Sequence, residues 1–404
     1  MHLKRSAKMP EHAREMEPLL PSHPDAALVE LTLRAARGSS ALGSLLSAGT
    51  RIAVTDLLRQ MNSYYSNLIE GHHINPLDIE RALQGNYSAE PAKRALQLES
   101  LAHIEVQKLM EQKLASDSGV NIGSADFLRW IHYELYTRMP EEFRLVSDQR
   151  GRLHKFDPGE LRKRDVIIGA HVPPTHSAVP VFLRRFSEFY DTQRLHGLDR
   201  IIAAAASHHR LAWIHPFVDG NGRVTRLFTH AFQIRTGLDA NGLWTISRGL
   251  SRRRESYLAT LGAADQPRAG ELDGRGSLSS RGLSAFCKFF FETALDQIQF
   301  MRGVLDIEGL QQRMAGYVER RAASRELAPE AAYVLREVTL RGEVPRGDIS
   351  RVTGKPERTA RRILGQLLNE ELLVSDTPKG PVRLGLPSKA VGYYFPRLYP
   401  EGVA

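Results

Sequence analysis

A single cysteine, Cys287, in 404 residues excludes an internal disulfide framework and any zinc site built from several thiolates. Long apolar runs are missing as well. The longest aliphatic stretch, IIAAAA at 201–206, falls far short of the roughly 20 residues a membrane-spanning helix needs. The first 25 residues carry basic groups, but charge and proline interrupt their apolar content, so no signal-peptide core forms and the stretch reads as a loose leader. There is no internal repeat. Neither sign of charge dominates strongly: Lys+Arg 55 against Asp+Glu 46 leaves +9, which permits a phosphate-bearing partner without requiring one. With 42% hydrophobic and 25% charged residues, the chain reads as globular rather than disordered or fibrous. Its length predicts two to four domains at roughly 100–200 residues each. The expectation is a soluble, cytoplasmic protein with no membrane partner.

Helical periodicity dominates. Apolar residues recur at helical spacing over 26–60, with GSS at 38–40 as a break. A helix carrying MNSYYSNLIEG must end near Gly71, because Asn75-Pro76 follows. Further helices are predicted over 76–84, 91–114, with Leu98, Leu101, Ile104 and Leu109 as its apolar face, and 126–138. Residues 166–172 (VIIGAHV) read as a short β-hairpin. Helices resume over 179–193, 198–213 and 223–236; 263–282 is a glycine-rich loop, and 283–325 is helical. The last 75 residues form a separate unit. Its order is a helix at 330–340, a short helix at 346–352, a glycine turn, a longer helix at 356–373 and two short strands, which is the order of a winged helix-turn-helix.

Chemistry concentrates at 215–226, His-Pro-Phe-Val-Asp-Gly-Asn-Gly-Arg-Val-Thr-Arg. A Gly-Asn-Gly run opening a helix leaves backbone N–H groups free to meet an anion, and the helix dipole adds positive potential there. Arg223 and Arg226, three apart, share one helix face and both reach phosphate oxygens. Asp219, just before the loop, offers one carboxylate to hold Mg²⁺ against a polyphosphate. His215 is the residue of the set suited to take a proton at neutral pH. Pro216 and Phe217 stiffen and anchor the turn.

This segment resembles the HPFx(D/E)GNGRxxR signature of Fic proteins and matches it at all nine specified positions. The resemblance implies a mainly α protein: a Fic helical core with a β-hairpin flap, plus the C-terminal winged helix-turn-helix. It divides the chain into an N-terminal helical region at 1–115, a Fic domain at 116–325 and the C-terminal unit at 326–404. The implied activity is transfer of AMP from ATP, with Mg²⁺ or Mn²⁺, to a Ser, Thr or Tyr hydroxyl of a target protein or of the chain itself. His215 would be the general base and Asp219 the metal ligand. Gly220, Asn221, Gly222, Arg223, Val224, Thr225 and Arg226 would hold the nucleotide, with Glu70 and Tyr257 beside it. A relative with lysine at the position of Gly222 is a kinase, so glycine favours AMP transfer.

Ser66-Asn67-Leu68-Ile69-Glu70-Gly71 resembles the (S/T)xxxE(G/N) inhibitory helix of Fic proteins, here about 61–71. The resemblance implies that Glu70 pairs with Arg226 and keeps the γ-phosphate from seating. Residues 165–173 fit the family's flap, with Gly159 and Arg162 in its lead-in. Tyr257 is placed either near the adenine or in core packing. His208, His209, His72 and His73 read as core or surface histidines, not as a metal cluster, because no carboxylate or cysteine completes one. Arg252, Arg253 and Arg254 read as a solvated face, with a place beside the triphosphate as the alternative, and Cys287, in AFCKFFF, reads as a packed thiol.

From 331 to 404 there are 12 Lys+Arg and 8 Asp+Glu, so +4 of the +9 lies in the C-terminal unit. Lys355, Arg358, Arg361 and Arg362 cluster where a recognition helix begins. Two partners remain for this unit, DNA or a docked protein, and a homodimer is a third arrangement. Two other functions stay open beside AMP transfer. One is removal of AMP by the same site with Glu70 orienting a water; the other is a DNA-binding regulator whose Fic site senses nucleotide.

Overall fold

Side-chain caps set many of the helix starts in this chain. The structure, a computed structural model, describes residues 9–147 and 151–400. Asp25 accepts from Leu28 N to open α1 (Ala26–Gly43), and Ser47 accepts from Thr50 N to open α2 (Ala48–Ile69). Asn75 caps α3 (Pro76–Leu83), with proline at the first turn where its missing N–H costs nothing. Helix α4 (Pro91–Ser116) also begins at proline, and Ser124 caps α5 (Ala125–Arg138). A two-stranded antiparallel sheet follows, β1 (Leu145–Ser147) with β2 (Leu153–Lys155), Val146 opposite His154.

The centre is α7 (Gly197–Ile214), which follows α6 (Val179–Phe189). Ala203, Ala204, Ala205 and Ala206 are fully buried, and their small side chains let α1, α6, α8 (Asn221–Thr236) and α11 (Ser280–Val304) approach closely. Helices α9 (Ile246–Arg252), α10 (Arg254–Ala264) and α11 close the other side, then α12 (Ile307–Ala323). The chain finishes as α13 (Ala331–Arg341), β3 (Glu343–Val344), α14 (Ile349–Thr353), α15 (Glu357–Asn369), β4 (Leu373–Val374), β5 (Val382–Leu384) and α16 (Ser388–Tyr394). The three strands pair antiparallel in the order β3-β5-β4. The fold is mainly α with small antiparallel sheets, and no described helix is long and apolar enough to cross a membrane.

Several expectations need correction. The 38–40 break does not occur: α1 runs through it, with the Ser39 hydroxyl buried and donating to Leu238 O at 2.5 Å. Residues 283–325 are two helices, divided at Leu305 and Asp306, which caps α12. The leader is not loose over its described part. Met16 and Leu19 are buried, Tyr190 Oη donates to Leu19 O at 2.5 Å, and Arg210 reaches Pro18 O at 2.7 Å; residues 1–8 lie outside the described ones. The hairpin at 166–172 is a tight turn closed by one bridge, Ile168 with His171, because its polar and apolar positions give no ladder to extend. The sequence reading left out β1, β2, β3, α9, α10 and α16. The last 75 residues also pack against α2: Thr50 Oγ1 donates to Thr339 O at 2.8 Å and Tyr65 Oη to Leu398 O at 3.0 Å.

Candidate active site

Helix α7 stops at Ile214, and His215 turns the chain with φ 51° and ψ 60°, the left-handed region that a side chain adopts at a cost. The loop that follows is closed on itself: Asn221 Oδ1 accepts from Phe217 N and Nδ2 donates to Phe217 O, both at 2.9 Å. Phe217 is fully buried and stacks on His132 with ring centroids 4.1 Å apart. Gly220, at φ 76°, then starts α8, so the first backbone N–H groups of that helix are left for an anion.

His215, Asn221, Gly222 and Arg226 line one cavity of about 410 Å³ together with Glu70 and Tyr257. That volume lies in the usual range for a small-molecule site. Desolvation, helped by the nearby His171 ring, pushes the pKa of His215 down to about 4, so its imidazole is neutral at physiological pH and has a lone pair to offer. Val224 and Thr225 do not belong to the cavity wall. The helix turns them into the surrounding packing, where they are 1% exposed.

Arg226 is held by the end of α2. Its Nη2 donates to Glu70 Oε1 at 2.6 Å and to Ser66 O at 2.9 Å, and its Nε donates to Ser66 Oγ at 2.9 Å. Burial works against the charge on Glu70, but Arg226 and then Arg223 overcome it and hold its pKa below the usual value. Gly222 makes room for this contact: a Cβ there would lie 2.1 Å from Glu70 Oε1. Arg254 is exposed, as expected, and also reaches the cavity wall, where its Nε donates to Ile69 O at 3.1 Å. Arg253 packs over Phe289, 4.6 Å from the ring centre.

Arg223 belongs to a buried network that the sequence reading missed. Nη1 pairs with Glu99 of α4, which is fully buried, and Nη2 donates to Tyr136 Oη at 2.7 Å and to Asp219 Oδ2 at 3.2 Å. Tyr136 in turn donates to Asp219 Oδ2 at 2.5 Å, and His72 Nδ1 lies 2.8 Å from Glu99 Oε2. Thus each arginine of the segment has a glutamate from outside it, Glu70 for Arg226 and Glu99 for Arg223. Spacing along α4 places Ala95, Glu99, Ala102 and Val106 on one helical face, so a lone acid among small apolar residues was the available signal.

Asp219 keeps 42% of its side chain exposed beside the loop. One partly exposed carboxylate just before the N-terminus of α8 fits the way Mg²⁺ is held, by one or two carboxylates plus substrate oxygens. Among the described residues no group of three or more His, Cys, Asp and Glu could cage an ion. His208 is buried and bonded at both ring nitrogens, to Thr229 Oγ1 at 2.7 Å and Tyr257 Oη at 2.8 Å. Tyr257 is therefore a packed residue that also faces the cavity. The Cys287 thiol is fully buried, which pushes its pKa up to about 12.

Residues 123–233 match the model of the Fic/DOC family. A Drosophila mojavensis protein named protein adenylyltransferase Fic is 25% identical over 205 residues, 44% of this chain and 41% of its own length. Its Drosophila virilis counterpart is 36% identical over 87 residues, 22% of this chain and 18% of that one. The chain thus spans well under half the length of these curated relatives. A Fic family protein from Desulfovibrio desulfuricans superposes with a TM-score of 0.53 at 17% identity, covering 90% of this chain and 98% of the other, a likeness of fold. With the family model, the curated relatives and this fold in agreement, the chain carries a Fic domain.

Proposed function

We propose that the chain is a protein adenylyltransferase, moving AMP from ATP to a Ser, Thr or Tyr hydroxyl of a target protein or of itself. The observation that carries this reading is one cavity holding a neutral His215, the open N-terminus of α8 and Arg226. The target oxygen attacks the α-phosphorus while its proton passes to the His215 ring. The bond from that phosphorus to the bridging oxygen breaks, and pyrophosphate leaves with the electron pair. Such transfer depends on positioning and charge neutralisation more than on covalent help. The N–H groups at Asn221 and Gly222 cradle phosphate, and Arg223 and Arg226 hold the β- and γ-phosphates. Asp219 would hold Mg²⁺ or Mn²⁺, which would neutralise charge on the phosphate oxygens.

Glu70 restrains the reaction on this reading. While it accepts from Arg226 at 2.6 Å, that guanidinium is unavailable to a γ-phosphate. The test is transfer of label from α-³²P ATP onto the chain or onto lysate proteins. Glu70→Gly is expected to raise it at least tenfold, and His215→Ala in that background to abolish it. Equal labelling with and without Glu70 counts against restraint, and labelling that survives His215→Ala counts against the transferase.

For the C-terminal unit we infer a winged helix whose α15 meets DNA. Arg358, Arg361 and Arg362 are exposed on that helix, opposite the buried Ala360, Ile363, Leu364 and Leu367. An electrophoretic shift of duplex DNA that weakens steeply between about 50 and 200 mM salt supports this; no shift at low salt leaves protein docking.

A further inference from the structure

His215 sits in a backbone conformation that does not hold itself. It is a non-glycine residue at φ 51° and ψ 60°, tied back to α7 by its N–H, which donates to Leu211 O at 3.2 Å, and by its ring, which bonds the Ala212 backbone. Neither contact holds its carbonyl or that of Pro216. A left-handed residue persists where its surroundings over-determine it, and here they come from one segment, residues 159–174, laid across the end of α7.

Arg162 makes the main contacts. Its Nε donates to His215 O at 2.8 Å and its backbone N–H to Pro216 O at 2.9 Å. The rest of the guanidinium is anchored within the segment, Nη2 to Pro174 O and Nη1 to Arg164 O at 3.3 Å. The Arg162 side chain is fully buried, although it has one carboxylate near it, Asp165 at 3.7 Å. A buried arginine facing almost entirely carbonyl oxygens has been placed for its fork of N–H donors, not for an ion pair. Further along the segment, His171 Nε2 lies 2.9 Å from Trp213 O, and because a carbonyl only accepts, that nitrogen carries a proton. His171 Nδ1 lies 3.0 Å from Asp265 Oδ2, which fastens this end of the segment to the end of α10. The segment's other end is fixed too: Gly159 N donates to His132 Nδ1 and Arg129 Nε to Gly159 O, both at 2.8 Å. The carbonyls of residues 213, 215 and 216, on both sides of the His215 ring, therefore all accept from this one strap.

We propose that Arg162 is a positioning residue for His215: it holds the left-handed turn that aims the imidazole into the cavity, with His171 steadying the helix end before it. Arg162 does not line the cavity and touches no group assigned to phosphate. The proposal rests on the transferase reading, with His215 as base, and assigns a role that reading does not contain. A base displaced by about 1 Å loses on the order of 100-fold in rate without losing the bound nucleotide.

The experiment uses full-length chain carrying Glu70→Gly, with Arg162→Gln and Arg162→Lys added separately. Turnover at saturating ATP and ATP binding by titration are measured on each. Arg162→Gln is expected to lower kcat about 100-fold while the ATP dissociation constant stays within threefold, and Arg162→Lys to recover at least a tenth of the parent rate, since its ammonium still donates to His215 O. A kcat within threefold of the parent in Arg162→Gln overturns the proposal. Loss of ATP binding in step with kcat also overturns it, because it makes the role merely structural. If the Glu70→Gly parent binds ATP but transfers no AMP, the transferase reading fails instead, whatever Arg162 does.

Discussion

Gly222 and Glu70 fit against each other: a methyl group on the glycine would lie 2.1 Å from the glutamate Oε1 and 3.0 Å from Arg226 Nη1. The two residues are 152 positions apart, and the nearest atom to such a methyl is the end of a side chain one third exposed, which can swing away. Gly222 therefore makes the room that the Glu70 carboxylate occupies.

Gly222→Ala should expel Glu70 from Arg226. Because the same glycine lines the cavity, the absolute rate is a poor reading of this, and the informative quantity is the ratio between paired variants. On the proposed reading Glu70→Gly should raise AMP transfer at least tenfold in the natural background; in the Gly222→Ala background the same change should raise it at least fivefold less. Equal activation in both backgrounds would show that alanine is accommodated without moving the glutamate.

The Glu99–Arg223 pair should contribute chiefly to stability. Both partners are buried, so Glu99→Gln leaves a guanidinium with Tyr136 and Asp219 as its remaining partners. Breaking a buried pair from one side costs about 3–5 kcal/mol, and the surviving Asp219 contact places this case near the low end, about 3 kcal/mol by urea denaturation. His72 adds a pH dependence of known sign. Its hydrogen bond to Glu99 raises its pKa above 6.5, so its contribution is fully present below 6.5 and is lost as pH rises through the raised value. His72→Gln should thus destabilise more at pH 6 than at pH 8.5, and an equal loss at both would mean that the charge on His72 does not matter.

The parts of this site legible in the sequence are those carried by contiguous residues. The 215–226 loop and the 66–71 helix end each declare their residue types within a dozen positions, and the structure brings them into one cavity, with Arg226 touching both Ser66 and Glu70. What was not legible comes from faces whose burial contradicts their polarity. Along α4, Leu98, Leu101 and Leu109 look like the inner face, yet they are half-buried, while Gln97, Glu99, Ser100, His103 and Gln107 are buried. Periodicity assumes that burial follows hydrophobicity, and that assumption fails where a helix supplies partners to buried polar groups, as Glu99 does to Arg223 and Gln107 to Asn62. The leader failed for a related reason: its carbonyls at Pro18 and Leu19 satisfy buried donors on Arg210 and Tyr190, and backbone acceptors leave no mark in a side-chain pattern. The turn at 168–171 has a strand-like composition, but its contacts are to carbonyls and to Asp265 instead of a neighbouring strand.

His215 should act as a base over an unusually acidic range. An ordinary histidine loses half its basic form near pH 6.5. Here desolvation first, and His171 second, lower the pKa to about 4, so the unprotonated ring is the main form throughout the physiological range and is lost only as pH falls through about 4. At saturating ATP, transfer by the Glu70→Gly chain should accordingly stay level from pH 8 down to pH 5.5, with no inflection near 6.5. Other carboxylates titrate on the acid limb, so the assignment needs a direct reading: ring chemical shifts of His215 followed by NMR, identified by their loss in His215→Ala. A His215 ring that titrates near 6.5 would mean that the cavity is wetter than its lining implies, and that the base is half-protonated near neutral pH.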